Sequence, residues 1–273
     1  MDKFTFGWWT TGRDEAAIGL FKTVTDAIND GTIPGHIGYL FCSRERGESV
    51  YSDEIIHVAE TLKIPVVCKS ALKFEPDLRK KDMKKWRAAY HEEILGLLKD
   101  YPCEVVMLAG YMWVVSPRAC SDLTIINLHP ALPDGPAGTW QEVIWQLLEE
   151  ETGETGVMIH LVTPELDKGP PMTFCRFSIK RKEWGPLWEE FNKEREARGL
   201  EAIKNTQGEA QPIFALIRRE GVNRELPLIV ETMRSLAMRE IYIRDGKLFD
   251  QKGKELKGPY DLSENVEKSI RKR

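Results

Sequence analysis

Long hydrophobic runs are absent from this sequence. Its longest apolar stretch, residues 105–115, is too short for a membrane-spanning helix, which needs about 20 residues. The first residues carry neither the basic region and apolar stretch of a secretory signal nor a small-residue cleavage site. These absences predict a protein that is not inserted in a membrane and that works in the cytoplasm.

Cysteine is scarce as well. The chain has five cysteines, an odd number, which are widely spaced and lie mostly in apolar surroundings. That pattern is typical of free, buried thiols in a reducing compartment. A chain of 273 residues removes roughly 70–75% of its extended surface from water, so it needs no covalent or metal support. We therefore expect neither disulfides nor a metal site.

An excess of one charge is also missing. The chain has 39 basic and 43 acidic side chains, which give a net charge of -4. Domains that bind nucleic acid usually carry a marked basic excess. Nucleic acid is therefore not an expected partner of this protein.

The first 180 residues alternate short β-branched or aromatic runs with segments of helical period. Strands are predicted over 4–9, 37–42, 65–68, 104–109, 123–126 and 156–162, with helices after Asp14 and over 53–62, 83–99 and 139–150. This alternation is typical of an α/β fold with a mainly parallel sheet. Ligands of such sheets collect at the carboxyl ends of the strands, which directs attention to the loops there.

From Arg181 onward the chain becomes densely charged. Helices are predicted over 213–219 and 228–238, and a hairpin is predicted around the Asp245-Gly246 turn. The charged stretch 183–211 is interpreted as a surface helix plus a loop rather than a lid, and the last dozen residues as frayed or disordered. We therefore predict a catalytic domain over 1–180 and an extension over 181–273 that packs on it.

The densest polar group in an apolar setting is Asn127 with His129, directly after a predicted strand. Residues two apart in a strand share a face, so the carboxamide and the imidazole can act on one oxyanion and move a proton. A structural role for this histidine remains the alternative. Asp167 precedes a Gly-Pro pair, where it is either a functional carboxylate or a turn former. His160 lies on an alternating strand and is predicted to belong to the core or to support the site.

Three segments resemble the formyltransferases that use 10-formyltetrahydrofolate. Residues 105–112 with Ser116-Pro117 are similar to the strand and loop that hold folate in that family. Residues 127–133 resemble its Asn-x-His-Pro-Ser/Ala-Leu signature, and 156–160 with 166–170 resemble its Gly-x-x-x-His and Leu-Asp-x-Gly-Pro signature. The resemblance covers about residues 3–180 and implies a Rossmann-like sheet with helices on both faces.

The resemblance also implies an enzyme that moves a formyl group from 10-formyltetrahydrofolate to a primary amine. Asn127 and His129 would then donate to the oxyanion, and Asp167 would pair with His129 or order the water that carries the proton away. The implied folate-binding residues are Met112, Trp113, Val114, Val115, Thr163, Leu166 and Asp167. Trp113 stands where the family often carries a charged side chain.

One loop departs from the family pattern. Family members that bind ribonucleotides have a glycine-rich loop after the first strand, where this chain has Thr-Gly-Arg-Asp-Glu-Ala over 11–16. The two carboxylates there, Asp14 and Glu15, would repel a phosphate, although Arg13 could offset this repulsion. The alternative is that the two carboxylates simply stabilise the N-terminus of the helix. The implied acceptor-binding residues are Gly12, Arg13, Asp14 and Trp140.

The sequence leaves several functions open. The family members that act on glycinamide ribonucleotide in purine biosynthesis provide the leading acceptor. The alternatives are another amine such as an amino-sugar nucleotide, a hydrolase that gives the formyl group to water, and a non-catalytic folate-binding protein. The implied partners are thus folate and a small amine, a homodimer is left open, and no metal is expected.

Overall fold

The computed structural model describes residues 3–165 and 168–272. Its strands are β1 (Phe4–Thr10), β2 (Gly35–Cys42), β3 (Val66–Cys68), β4 (Val105–Leu108), β5 (Ile125–His129), β6 (Glu154–Leu161), β7 (Pro171–Ser178), β8 (Ile241–Arg244), β9 (Lys247–Asp250) and β10 (Tyr260–Asp261). Its helices are α1 (Glu15–Asn29), α2 (Val50–Thr61), α3 (Pro76–Lys81), α4 (Met83–Leu98), α5 (Pro117–Asp122), α6 (Trp140–Glu149), α7 (Gly185–Arg198), α8 (Leu200–Gln207), α9 (Pro212–Ala237) and α10 (Ser263–Arg271).

Eight strands form one sheet in the order β10-β7-β6-β5-β4-β1-β2-β3. The pairs β1–β2, β1–β4, β2–β3, β4–β5 and β7–β10 are parallel. The predicted α/β fold with a mainly parallel sheet is confirmed. Among the described helices, none is long and apolar enough to cross a membrane.

The chain divides into two compact units that each draw on several segments. The first comprises 1–128, 160–170 and 232–258, and the second comprises 129–159, 171–231 and 259–273. Because both units use residues from either side of 180, the boundary between a catalytic domain and an extension stays a prediction.

The first unit is built around aromatic side chains. Trp9 of β1 and Phe41 of β2 pack with Trp86, Tyr90 and Ile94, which lie on one face of α4. Asp82 caps α4 by accepting a hydrogen bond from the Lys85 amide (3.0 Å), so this helix begins where the sequence predicts. The loops that follow β1, β4 and β6 belong to this unit.

The second unit corrects the interpretation of the charged stretch. Residues 183–211 form α7 and α8 rather than one surface helix and a loop, and Trp188, Phe191 and Ile203 are buried there. A few large apolar residues among many charges suffice because each helix needs only a narrow buried stripe. The high charge of this stretch does not indicate that it contributes to the hydrophobic core of the second unit.

Two further predictions near the C-terminus were wrong. The helices predicted over 213–219 and 228–238 are one helix, α9, which continues through Pro227. Proline removes a single backbone hydrogen bond, and the ion pair of Arg224 with Glu220 (3.0 Å) holds the preceding turn.

The last dozen residues are also ordered up to residue 272. β10 pairs with β7, and Glu267 of α10 binds Arg224, which is 2% exposed. The hairpin β8–β9 is confirmed, with positive φ angles at Asp245 (52°) and Gly246 (72°). Helices α3 and α5 were not predicted, because they are too short to show a helical period. Strand β7 was not predicted either.

Candidate active site

Asn127 lies at the carboxyl end of β5, inside the strand rather than after it. It pairs in register with Leu108 of β4 and is half-buried. It is one of the residues that line a cavity of about 250 Å³. The other lining residues are Leu108, Tyr111, Met112, Trp113, Val114, Val115, His160, Val162 and Thr163. The cavity is mainly apolar and has a few polar groups, the usual composition of a small-molecule site.

Most of the predicted folate-binding residues share this cavity. Met112, Trp113, Val114 and Val115 come from the loop after β4, and Thr163 comes from the loop after β6. The Thr163 hydroxyl donates to the Glu165 carbonyl (3.0 Å), which fixes that loop locally. Leu166 and Asp167 lie outside the described residues, so their predicted roles stay predictions.

The loop after β4 is held from behind by a buried polar pair. The Nδ1 atom of His91 donates a hydrogen bond to the Arg87 carbonyl (2.9 Å). The Nε2 atom of the neutral ring therefore accepts a hydrogen bond from the Tyr111 hydroxyl (3.1 Å). Burial lowers the pKa of His91 to about 4 and raises that of Tyr111 well above its usual value. The pair therefore stays uncharged at neutral pH and fixes the Tyr111 ring against the cavity.

His160 and Tyr111 line the cavity although the sequence did not predict that they would. His160 is 2% exposed, and its Nδ1 atom lies 2.9 Å from the Leu161 carbonyl oxygen. It is two residues before Val162, so strand alternation puts both on the cavity side. Tyr111 follows Gly110, whose positive φ of 70° turns the loop after β4.

His129 and Trp140 belong to the second unit. His129 is 4% exposed, and its Nε2 atom lies 3.4 Å from the Pro136 carbonyl oxygen. Trp140 begins α6 after the Thr139 cap, and the Arg218 guanidinium lies over its ring at 4.5 Å. The Trp140 ring thus contacts a cation of its own unit. Its role in binding the acceptor substrate stays a prediction.

Several polar backbone groups of the loop after β1 form hydrogen bonds with other protein groups. The Thr11 amide donates to the Gly110 carbonyl (3.1 Å), and the Gly12 amide donates to the Thr10 hydroxyl (3.0 Å). The Arg44 guanidinium donates to the Gly12 carbonyl (2.9 Å). Gly12 has a φ of 57°, and a Cβ there would lie 2.6 Å from the Ser52 Cα. Backbone amides that could cradle an anion are thus partly committed to the protein.

Arg13 and Asp14 neutralise each other in this loop. Two guanidinium nitrogens of Arg13 lie 2.9 Å from one Asp14 oxygen, and the other oxygen accepts from the Ala17 amide (3.2 Å). Asp14 is therefore the N-cap of α1, the position that most favours a carboxylate. The Arg13 guanidinium also donates to the Met112 sulfur (3.4 Å), which joins this loop to a residue that lines the cavity.

The chemistry available at the cavity is that of hydrogen bonding and proton transfer. Across residues 3–165 and 168–272, no group of three or more His, Cys, Asp or Glu is arranged to hold a metal. A carboxamide among the lining residues of a mainly apolar cavity can donate a hydrogen bond to a developing oxyanion.

Comparisons with known proteins identify the family and the fold of the chain. The model of the family described as "Formyl transferase" matches residues 21–185. The phosphoribosylglycinamide formyltransferase of Escherichia coli (strain K12) is 37% identical over 86 residues, which cover 31% of this chain and 40% of that enzyme. The alignment thus spans less than half the length of this curated relative.

Solved structures share the fold at lower identity. The phosphoribosylglycinamide formyltransferase of Coxiella burnetii has a TM-score of 0.61 at 19% identity, over 95% of this chain and 99% of that one. A formyltetrahydrofolate deformylase from Pseudomonas syringae has a TM-score of 0.57 at 17% identity. That match covers 92% of this chain and 66% of the deformylase chain. The family match covers more than half of the sequence, and the chain therefore belongs to the formyl transferase family.

Proposed function

We propose that this protein transfers the formyl group of 10-formyltetrahydrofolate to a primary amine, with glycinamide ribonucleotide as the acceptor in purine biosynthesis. The observation that carries the proposal is the cavity that Asn127 lines together with Met112–Val115 and Thr163. The proposal places this reaction in the cytoplasm between two small molecules, with no nucleic acid or membrane as a partner.

The proposed reaction needs two kinds of help from the protein. The amine nitrogen attacks the formyl carbon, a C–N bond forms, and the carbonyl electrons move to the oxygen. Asn127 donates to that oxygen, and His129 would donate as well when protonated. The intermediate then collapses, the bond from the formyl carbon to N10 of the folate breaks, and N10 takes up a proton. Asp167 would pair with His129 or order the water that removes the proton from the amine.

Different observations favour different acceptors. The Escherichia coli and Coxiella burnetii relatives carry phosphoribosylglycinamide in their names, which favours a ribonucleotide acceptor. The Arg13–Asp14 pair favours instead an amine that has no phosphate beside α1, such as an amino-sugar nucleotide bound in another orientation. The deformylase from Pseudomonas syringae makes water the third acceptor to test.

One assay separates these acceptors. The protein is incubated with 10-formyltetrahydrofolate alone, with glycinamide ribonucleotide and with an amino-sugar nucleotide, and tetrahydrofolate release is followed by absorbance. We expect release that depends on glycinamide ribonucleotide. Release without any amine would identify the hydrolase, and folate binding without release under every condition would identify a non-catalytic binding protein.

A further inference from the structure

A second cavity, the hairpin cavity, lies beside β8 and β9 and is larger than the cavity beside Asn127. Its volume is about 430 Å³, against about 250 Å³ for the cavity that Asn127 lines. Both have aromatic lining residues. Trp113, whose ring centre lies 4.9 Å from that of Trp86, lines the cavity beside Asn127. The hairpin cavity is lined by Tyr242, Ile243, Arg244, Phe249, Gln251 and Gly253, and the formyl-transfer proposal gives none of them a role.

The hairpin cavity lies toward the other end of the sheet from Asn127. Tyr242 and Ile243 line it and also line a neighbouring cavity of about 260 Å³. That neighbour is lined by Phe4 and Val105, the first residues of β1 and β4. Asn127, by contrast, pairs with the last residue of β4. A ligand in the hairpin cavity would therefore leave the cavity beside Asn127 free.

Arg244 brings a positive charge to the hairpin cavity without a carboxylate to neutralise it. Among the described residues it forms no ion pair, whereas Lys247, directly opposite on β9, pairs with Glu255 (2.9 Å). Like charges directly opposite each other destabilise a strand pair. An anion bound to Arg244 would relieve this repulsion. The surrounding segment 239–257 also has a basic excess, with six basic and four acidic side chains.

The neighbouring arginine shows how such a charge is usually satisfied. Arg239 pairs with Glu104, and the same carboxylate accepts a hydrogen bond from the Thr5 amide (3.0 Å). Its charge is thus neutralised inside the first unit. Because Arg244 has no such partner in the described part of the chain, its N–H groups are available to a ligand.

Aromatic side chains surround this guanidinium. The Arg244 guanidinium lies 4.5 Å from the centre of the Phe249 ring, and Tyr242 is directly opposite Phe249 in the strand pair. Tyr242 and Arg244 are two residues apart on β8, so they share a face of the hairpin. Aromatic side chains stack on nucleic-acid bases, and a guanidinium can bind a phosphate through two parallel hydrogen bonds. The carboxamide of Gln251 adds a donor and an acceptor for the edge of a base.

We infer that the hairpin cavity binds a nucleoside monophosphate, with its base beside Tyr242 and Phe249 and its phosphate on Arg244. Phosphate alone would leave the aromatic side chains without a partner, and an uncharged nucleoside would leave the Arg244 charge unpaired. The inference is independent of the proposed function, because the two cavities share no lining residue.

Binding of a nucleotide and of its two parts tests the inference. Titration calorimetry of the full chain in low-salt buffer compares adenosine 5′-monophosphate (AMP), adenosine and inorganic phosphate. We expect AMP to bind at least about tenfold more tightly than either part, because only AMP meets the aromatic rings and the guanidinium together. Equal affinities for AMP and adenosine would overturn the inference.

Matched variants assign the binding to the hairpin cavity. R244Q should weaken AMP binding about tenfold and leave adenosine binding as it was, because a charge-assisted contact to phosphate is lost. F249L keeps an apolar side chain but removes the ring, and it should weaken both ligands about fivefold. The control R219Q removes the same charge from an exposed arginine of α9 and should keep the AMP affinity. Thermal unfolding verifies that all three variants are folded.

Three further outcomes would overturn the inference. If R13Q weakens AMP binding and R244Q does not, the nucleotide lies beside the loop after β1. If saturating 10-formyltetrahydrofolate displaces AMP, the nucleotide lies in the cavity beside Asn127. If benzoate displaces AMP at equal concentration, the hairpin cavity takes aromatic carboxylates rather than nucleotides. AMP binding that depends on Arg244 and Phe249 and persists with the folate present would support the site.

Discussion

The cavity beside Asn127, proposed to bind folate, and the loop after β1 lie in the same unit, but they use their polar groups differently. In the cavity of about 250 Å³, Asn127 is one of the few polar residues among mainly apolar lining residues. In the loop, Arg13 binds Asp14, and the amides of Thr11 and Gly12 donate to protein oxygens. One side keeps polar groups for a ligand, whereas the other has satisfied many of its own. The co-substrate is therefore better supported than the acceptor.

The largest expected effect concerns the polar group in the cavity. Asn127→Ala should lower kcat by about 10²–10³-fold while the fold persists, because a positioned oxyanion donor is lost. Asp167→Asn should cost a similar factor if that carboxylate assists proton transfer. Steady-state kinetics measure both, and Asn205→Ala, an exposed asparagine on α8, is the control. Near-normal formyl transfer by Asn127→Ala would contradict the proposed catalytic role of this residue.

The next largest effect is expected in the loop after β6, which contributes Thr163 to the cavity. A Cβ at Gly169 would lie 1.6 Å from the Leu161 carbonyl oxygen, so Gly169→Ala must push the loop away from the end of β6. We expect a loss of about 3 kcal/mol in unfolding free energy, together with weaker folate binding. Gly19→Ala, where the new Cβ meets nothing within 4 Å, should instead leave stability equal or slightly raised. Equal denaturation midpoints for the two variants would contradict this packing.

A smaller effect should come from His91 behind the cavity. Its pKa is lowered from 6.5 to about 4 by burial, so the unfolded chain binds this proton more readily than the folded one. Stability should therefore fall as the pH drops below 6.5, by about 2 kcal/mol between pH 7 and pH 5 from this group. Denaturant titrations at several pH values should show that His91→Gln removes this part of the pH dependence. His57→Gln, which changes an exposed histidine, should keep it.

The smallest expected effect sharpens the other side of the comparison. Asparagine caps helices about as well as aspartate, so Asp14→Asn should keep α1 stable while it removes one negative charge. If the acceptor phosphate lies beside this loop, KM for glycinamide ribonucleotide should fall a few-fold. Asp26→Asn makes the same charge change farther along α1 and should leave KM as it was. An unchanged KM in Asp14→Asn would favour an acceptor that has no phosphate there.

The cavity was predictable from the sequence because its parts lie in short, contiguous motifs. Met112–Val115 follow one strand directly, and Asn127 ends the next, so parallel strand order brings them to the same edge. Tyr111 was missed because its role depends on His91, a residue on another helix. Sequence distance conceals such a pair, and no local pattern indicates it.

The C-terminal part was harder to predict for a different reason. Helices α7 and α8 bury only a few large residues, among them Trp188 and Ile203, within a stretch dominated by charge. The order of α10 depends on Glu267, which pairs with the buried Arg224 of α9. Both features arise from contacts between distant segments, which composition and period do not register.

The packing of Trp113 against Trp86 gives the protein a built-in optical reporter. Two indoles with ring centres 4.9 Å apart couple their electronic transitions, and the resulting pair of circular-dichroism bands depends on the angle between the rings. The chain has eight tryptophans, so total fluorescence would dilute the response of any one of them. The coupled bands, by contrast, should change when a ligand shifts the Trp113 ring. Occupancy of the cavity can thus be followed in the unlabelled protein, before any acceptor is known.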